Sequence, residues 1–221
     1  AFEGPSIKKM PHADLITASK LFSLFNEERV SIIKPLALAG IEGTGSMGDD
    51  TALAVLSRMP RSIYDYFRQQ FAQVTNPPID SLRETSVMSL ETCFGPELNI
   101  FEETTEHAKR IVSTSPVLSH KKLNSLLKNS YFKVESFDLV YPQKLELADA
   151  LEDLTNKVNN AVKKGVVIIH LNEILPKGDA LSINALLAVG CIHQELVKLG
   201  LRSDANLVVS SASARDTHQI A

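Results

Sequence analysis

Val166-Val167-Ile168-Ile169 is a run of four β-branched apolar residues, followed by His170 and Leu171. A strand with one wet face alternates apolar with polar residues. An unbroken apolar run suits a strand covered on both faces, as in a parallel sheet. The flanks on either side of this run carry the complementary signal. Upstream, Leu147, Leu151, Leu154, Val158 and Ala161 recur at steps of four and three, which places one apolar stripe on a helix. That helix has Lys163 and Lys164 in its last turn and Gly165 as its terminator. Downstream, Ala185, Val189, Ile192, Leu196 and Leu199 form a second stripe, ended by Gly200. Val134 to Tyr141 alternates like a strand, and Leu207-Val208-Val209 reads as a further one. Strand, helix, strand, helix, strand is a βαβαβ chain, which requires parallel strands and right-handed crossovers.

Such units build doubly wound sheets or (β/α) barrels. The strand ends at Tyr141, Leu171 and Ser210 are expected to line the face where these folds carry ligands. The chain stops at Ala221, in what reads as the first turns of another helix, so a truncated domain is expected.

The N-terminal part reads differently. Residues 12–39 are expected to be helical, with Ala13, Ile16, Leu21 and Leu24 on one apolar face. Asn26 is the expected N-cap of a second helix, with Glu27 and Glu28 favoured in its first turn by the helix dipole. Pro35 is expected to break or kink it. Leu53 to Leu56 suggests a strand, and 62–70 a helix with Tyr64, Tyr66, Phe67 and Phe71 on a packed face. Asn76-Pro77-Pro78 must be extended. Asp80 and Ser119 are positioned to cap helices running to Met88 and over 120–128.

Composition excludes several classes. Against 26 Asp+Glu there are 23 Lys+Arg, a net charge of -3, with no basic run suited to a phosphate backbone. Nucleic acid is not an expected partner. No apolar run approaches the roughly 20 residues that span a bilayer, so no membrane association is expected. The N-terminus shows no basic stretch followed by an apolar one, so no leader is expected. Cys93 and Cys191 lie far apart and form no CxxC pair; two buried free thiols in a reducing cytosol are expected.

The chemical motifs are weak. Gly43-Thr44-Gly45-Ser46-Met47-Gly48 is a literal GxGxxG, but a helical segment precedes it and Asp49 and Asp50 stand where a pyrophosphate would sit. A dinucleotide site wants a strand before and no such carboxylates after. The glycines are read as permitting a tight turn or a close backbone approach. Asp49 and Asp50 are read as a loop or solvated pair. His170 sits in an apolar strand and is read as a hydrogen-bonded core histidine. Ser213, Asp216 and His218 contain the residue types of a catalytic triad without the strand-to-helix elbow that exposes a nucleophile.

One stretch resembles a known family. Gly45-Ser46-Met47-Gly48-Asp49-Asp50-Thr51-Ala52-Leu53-Ala54-Val55-Leu56-Ser57 resembles the GSMGDDTPLAVLS signature of glutamate synthase large subunits. The resemblance continues through Ile63-Tyr64-Asp65-Tyr66-Phe67-Arg68-Gln69-Gln70-Phe71-Ala72-Gln73-Val74-Thr75-Asn76-Pro77-Pro78-Ile79-Asp80 and Val87-Met88-Ser89-Leu90-Glu91-Thr92. Weaker matches follow in order at 115–118, 187–190 and 213–216. Ala52 stands where proline is usual, and Leu171-Asn172-Glu173-Ile174 replaces a Leu-Ser-Asp-Arg pattern.

The resemblance implies the central domain of a multidomain oxidoreductase, between a glutaminase domain and an FMN-binding barrel with an iron–sulfur cluster. The implied fold is α/β, an incomplete (β/α) TIM-barrel-like domain with parallel strands. Residues 1–44 would form a helical preface or linker and 45–221 the domain itself. No cofactor or catalytic residue is implied for this segment, and the isolated chain is expected to be inactive. Met47, Thr75 and Asn76 would lie near the narrow entrance of a tunnel that carries ammonia from the glutaminase to the FMN barrel. Implied partners are the glutaminase and FMN domains of the same parent chain, with a small NADPH-dependent subunit or ferredoxin as electron source. A cytoplasmic location is implied, or a plastid for a plant-type parent. A free-standing interaction or scaffold protein derived from this domain is the rival reading.

Overall fold

Helix formation dominates the first described segment. The computed structural model describes residues 11–41, 43, 51–52, 54–58, 61–68, 70 and 79–221. α1 (His12–Leu21) has Asp14 in its first turn and Lys20 in its last, charges that complement the helix dipole. α2 (Asn26–Glu28) runs directly into a π-helical turn (Arg29–Ile33) and then into α3 (Lys34–Ala39). Pro35 therefore does not break this helix. It follows directly on the π turn, where the regular i→i−4 ladder is already interrupted and a missing N–H costs less. The N-cap is Phe25 rather than Asn26, whose side chain instead accepts from Arg29 Nη2 at 2.8 Å. None of the α1 residues is buried, so its apolar stripe stays open to solvent.

Where a strand was expected at 53–56, the described residues 54–57 form a turn. Ser57 N bonds Ala54 O at 2.9 Å, and Val55 and Leu56 are fully exposed. The expected helix over 62–70 shortens to a 3₁₀ turn, Ile63–Tyr66. Ser62 and Asp65 close a reciprocal capping box on it, and Phe67 leaves in an extended conformation. Among the described aromatic residues of this stretch Tyr64 alone packs inside, while Tyr66 and Phe67 are exposed. Phe71 and the Asn76-Pro77-Pro78 segment lie outside the described residues.

The remainder is α/β. α4 (Ser81–Val87) is capped as expected, with Asp80 Oδ1 accepting from Leu82 N and Arg83 N at 3.0 and 2.9 Å. The Arg83 side chain first, and then these backbone bonds, hold the Asp80 carboxyl below its ordinary value. β1 (Thr92–Phe94) and β2 (Ile111–Ser113) form an antiparallel hairpin that sequence periodicity did not announce. α5 (His120–Leu127) follows, capped by Ser119.

β3 (Val134–Asp138) ends sooner than the alternation suggested. Leu139, fully buried, leaves the sheet, and β4 (Val140–Pro142) pairs antiparallel with β6 (Ala180–Ser182) instead. α6 (Leu147–Lys163), α7 (Ala185–Lys198) and β7 (Asn206–Ser210) fall where their patterns placed them, while β5 (Ile168–Asn172) starts two residues into the Val166–Ile169 run and extends past it. β3, β5 and β7 form one parallel sheet with β5 at the centre. Gly165 and Gly200 end the two long helices at φ 83° and 68°, a left-handed geometry that side chains resist. α8 (Thr217–Ile220) closes the chain, capped by Asp216.

The described residues divide into two units: a sheet unit of residues 79–211, and a helical unit combining the described residues of 11–70 with Ala212–Ala221. The core of the sheet unit lies on both faces of β5. Ile169 and Leu171 point to one face, packed with Leu154, Val158, Ala188, Ile192 and Leu196 of α6 and α7. Ile168 points to the other, packed with Phe94, Leu126 and Val208. Each fully buried Leu, Ile or Val contributes about 1.5–3 kcal/mol, which makes this double burial the main support of the sheet. Both cysteines are free, but both are exposed; the expected burial is wrong for each. Cys191 falls on the outer side of α7 because its neighbour Ile192 occupies the core-facing position.

Candidate functional site

The carboxyl end of a parallel sheet is where ligands gather in α/β folds, because the strands end there and loops take over. Register places three rows of residues on the face of this sheet opposite α6 and α7. They are Val134–Ile168–Asn206, then Ser136–His170–Val208, then Asp138–Asn172–Ser210. Polarity rises from the first row to the last, so the apolar floor opens into a polar rim.

His170 anchors the middle row. It is 6% exposed, and each ring nitrogen meets a hydroxyl: Nδ1 lies 3.1 Å from Ser136 Oγ and Nε2 lies 2.8 Å from Ser210 Oγ. A neutral imidazole satisfies both, donating through one nitrogen and accepting through the other. This is the hydrogen-bonded core histidine that the apolar strand implied. Burial lowers its pKa, partly opposed by the nearby Asp138 carboxylate. Below the rim's edge, Asn172 Nδ2 donates to Asp138 Oδ1 at 2.9 Å.

Glu173 ties the rim together. It is buried, and its Oε2 accepts from Ser211 Oγ at 2.8 Å while Oε1 accepts from Ala185 N at 3.4 Å. One carboxylate thereby joins the end of β5, the loop after β7 and the first turn of α7, where the helix dipole favours negative charge. Asn184 caps the same helix end through Leu186 N. The sequence singled out 171–174 only as a departure from the family pattern. A carboxylate directly after a buried strand, with a helix start a dozen residues on, was the available signal.

This arrangement does not activate a nucleophile. Ser210 has an imidazole beside it, but the far nitrogen of that imidazole meets Ser136 and not a carboxylate. A serine nucleophile needs a third group that holds and stabilises the imidazolium. Among the described residues, no three His, Cys, Asp or Glu side chains converge in a way that could hold a metal ion.

The lowered pKa has a consequence for stability. The unfolded chain takes up a proton near the ordinary value of 6.5, whereas folded His170 resists it. Its contribution is full above that value and is lost as pH falls toward the folded pKa. Urea midpoints at about pH 8 and about pH 5.5 should therefore differ more for the native chain than for His170→Asn. Equal differences would remove His170 from the acid sensitivity of this unit.

The helical unit holds the triad residue types, and each has a partner outside the triad. Ser213 Oγ lies 3.4 Å from Tyr64 Oη, His218 Nε2 donates to Tyr64 O at 3.1 Å, and Asp216 Oδ1 accepts from Gln219 N at 2.8 Å. A half-buried ion pair there involves Arg215. Its Nε and Nη2 donate to Glu28 Oε1 and Oε2 at 2.6 and 3.0 Å, and its Nη1 donates to Phe22 O and Ala212 O. The two partners are 187 positions apart, so no local pattern could have paired them.

Met47, Thr75 and Asn76 lie outside the described residues, as do Asp49, Asp50 and most of the Gly-rich loop. Gly43 is described, and a Cβ there would sit 3.1 Å from Ser31 O and 3.2 Å from Ile32 Cγ1. That contact agrees with reading this glycine as a point of close backbone approach.

Comparison with known proteins identifies a family. The sequence model of the family described as glutamate synthase central domain matches residues 17–221. The chloroplastic ferredoxin-dependent glutamate synthase of Oryza sativa subsp. japonica is 39% identical over 96% of this chain and 14% of its own length. Glutamate synthase [NADPH] large chain of Bacillus subtilis is 35% identical over 95% of this chain and 14% of its own. Glutamate synthase [NADH] of Saccharomyces cerevisiae is 35% identical over 87% of this chain and 9% of its own. The chain thus spans about a seventh or less of each relative's length.

Proposed function

The chain belongs to the glutamate synthase central-domain family, and from that premise we propose that it serves as the non-catalytic central domain of a glutamate synthase. The match over residues 17–221, against relatives several times longer, carries this reading. In it the parent makes glutamate from glutamine and 2-oxoglutarate, with FMN and an iron–sulfur cluster held elsewhere in the parent. The names of the relatives specify ferredoxin, NADH and NADPH dependence, and the parent draws on a donor of one of these kinds.

The sheet rim supports a structural use of this segment. His170 is engaged by two serines and Glu173 by a helix end and a serine, so the polar groups at the ligand-bearing edge hold the fold together. Two helices on one face of three parallel strands also suit a sector of an incomplete (β/α) barrel. Within this reading the domain links the glutaminase and FMN domains, and Met47, Thr75 and Asn76 narrow the passage for ammonia. A passage for a small uncharged solute needs a bore of fixed width and no acid, base or nucleophile.

A bulky side chain in that bore tests the proposal. In the full-length parent, Thr75→Trp should cut glutamine-dependent synthesis by at least about tenfold, a change of roughly 1.4 kcal/mol in the effective barrier. Ammonia-dependent synthesis should persist within about twofold, because the chemistry at the flavin is untouched. Parallel loss of both activities, or no loss of either, would remove Thr75 from the passage.

A further inference from the structure

The hairpin connection between β1 and β2 is long, ordered and tipped with apolar residues. It runs from Gly95 to Arg110, and both ends are fixed. The stem pairs Phe94 with Ile111, Gly95 N donates to Asn206 Oδ1 at 2.7 Å, and Glu97 N donates to Ser203 O at 2.7 Å. The interior is braced as well. Asn99 Oδ1 accepts from Phe101 N at 3.1 Å, Asn99 Nδ2 donates to Glu102 Oε1 at 3.0 Å, and Glu102 N donates to Asn99 O at 3.0 Å. His107 Nε2 donates to the same Asn99 carbonyl at 3.1 Å, while Nδ1 lies 3.1 Å from Thr104 Oγ1. A 3₁₀ turn, Thr105–Ala108, supports that histidine. Closed loops packed by their own side chains, with neighbouring ends, are frequently functional.

What this scaffold presents to water is unusual. Ile100 and Phe101 are 82% and 89% exposed. A turn braced by these hydrogen bonds that holds two large apolar side chains outward meets much of the ordering cost of binding before any partner arrives. The surrounding charge is acidic. Glu97 faces Arg110 at 3.6 Å and Glu106 pairs with Lys109 at 2.7 Å. Glu102 and Glu103, next to Phe101 in the chain, have no cationic partner among the described residues.

We infer that the 95–110 loop is a preformed docking knob, whose Ile100–Phe101 tip seats in an apolar socket bordered by lysine or arginine on another domain of the same parent chain. The charge of the tip selects a cationic rim, and the apolar pair selects a desolvated socket, the usual anatomy of an interface hot spot. The chain spans only 14% of its longer relatives, which leaves ample polypeptide for the socket. This inference rests on the reading that a longer parent exists.

Hydroxyl-radical footprinting of the intact parent, read by peptide mass spectrometry, tests it. Phe101 should oxidise at least about tenfold more slowly in the parent than in a synthetic peptide of residues 95–110. Reversing the charges with Glu102→Lys and Glu103→Lys should raise Phe101 oxidation at least about threefold, because the cationic rim would now repel the tip. Phe101→Leu, which keeps the apolar tip, should leave Ile100 protected and so separates docking from misfolding. Protection below tenfold overturns the inference, as does indifference to charge reversal. Protection that fades on dilution overturns it too, since the socket would then lie on a second copy. A gene without flanking domains would remove the parent itself, and with it the reading of the preceding subsection. An exposed Phe101 in an intact parent removes the docking knob alone.

Discussion

Arg215→Met should destabilise the helical unit by about 3 kcal/mol, the low end of the range for breaking a buried ion pair from one side. The guanidinium and its carboxylate partner Glu28 are only 13% and 16% exposed, so neither is well hydrated. The contact is bidentate, a geometry that a planar guanidinium matches and an ammonium does not. Methionine preserves much of the aliphatic bulk while leaving Glu28 charged and poorly solvated. The carbonyl oxygens of Phe22 and Ala212 lose a donor in the same step. Local hydrogen exchange over residues 22–33 should accelerate by roughly a hundredfold, since that region opens when the pair is lost. Adding Glu28→Gln to Arg215→Met should recover part of the loss by removing the stranded charge. Arg215→Lys should fall between the native chain and Arg215→Met. Exchange within about threefold of the native rate in Arg215→Met would show that solvent replaces the pair at no cost.

Leu171→Ala should cost the sheet unit about 3–4 kcal/mol, within the range found for leucines truncated in closed cores. Leu171 is fully buried on the central strand, opposite Phe137 on β3 and Val209 on β7. α6 and α7 cover it, and both helices are held by several other contacts, so the space left behind cannot readily collapse. The control lies in the same row. Val209 is 39% exposed on an edge strand, and Val209→Ala should cost less than about 1 kcal/mol. Urea unfolding followed by circular dichroism reads both. Similar losses at the two positions would mean that this face of the sheet is not the core of the unit.

Legibility in the sequence followed the range of the interaction. The stripes of α6 and α7, the apolar run of β5 and the caps at Asp80, Ser119, Gly165 and Gly200 each lie within one or two turns of chain. Their signal is the period of the backbone itself, 3.6 or 2 residues, together with the few side chains that satisfy helix ends. Parallel pairing also followed from local order, because strands joined through a helix have little other choice. His170 was readable as a core histidine from its apolar neighbours. That it would meet Ser136 on one side and Ser210 on the other was not.

The sequence by itself determined the βαβαβ chain, its family and the residues that begin and end its main helices, since each is written in a short window. Tertiary structure alone decided that Leu139 would divide one apparent strand into β3 and β4. Alternation cannot tell which partner a strand will find, and here Leu139 N bonds Asn172 O while its carbonyl accepts from Ile183 N. It decided that Pro35 would be carried through a helix by a π turn, that both thiols would face water, and that Glu173 would join β5 to α7. It also paired Arg215 with Glu28 across 187 positions. Closing so long a loop has an entropy cost that grows only slowly with length, so the distance is affordable to the fold. The same distance leaves the pairing invisible along the chain, because only folded geometry brings two such residues together.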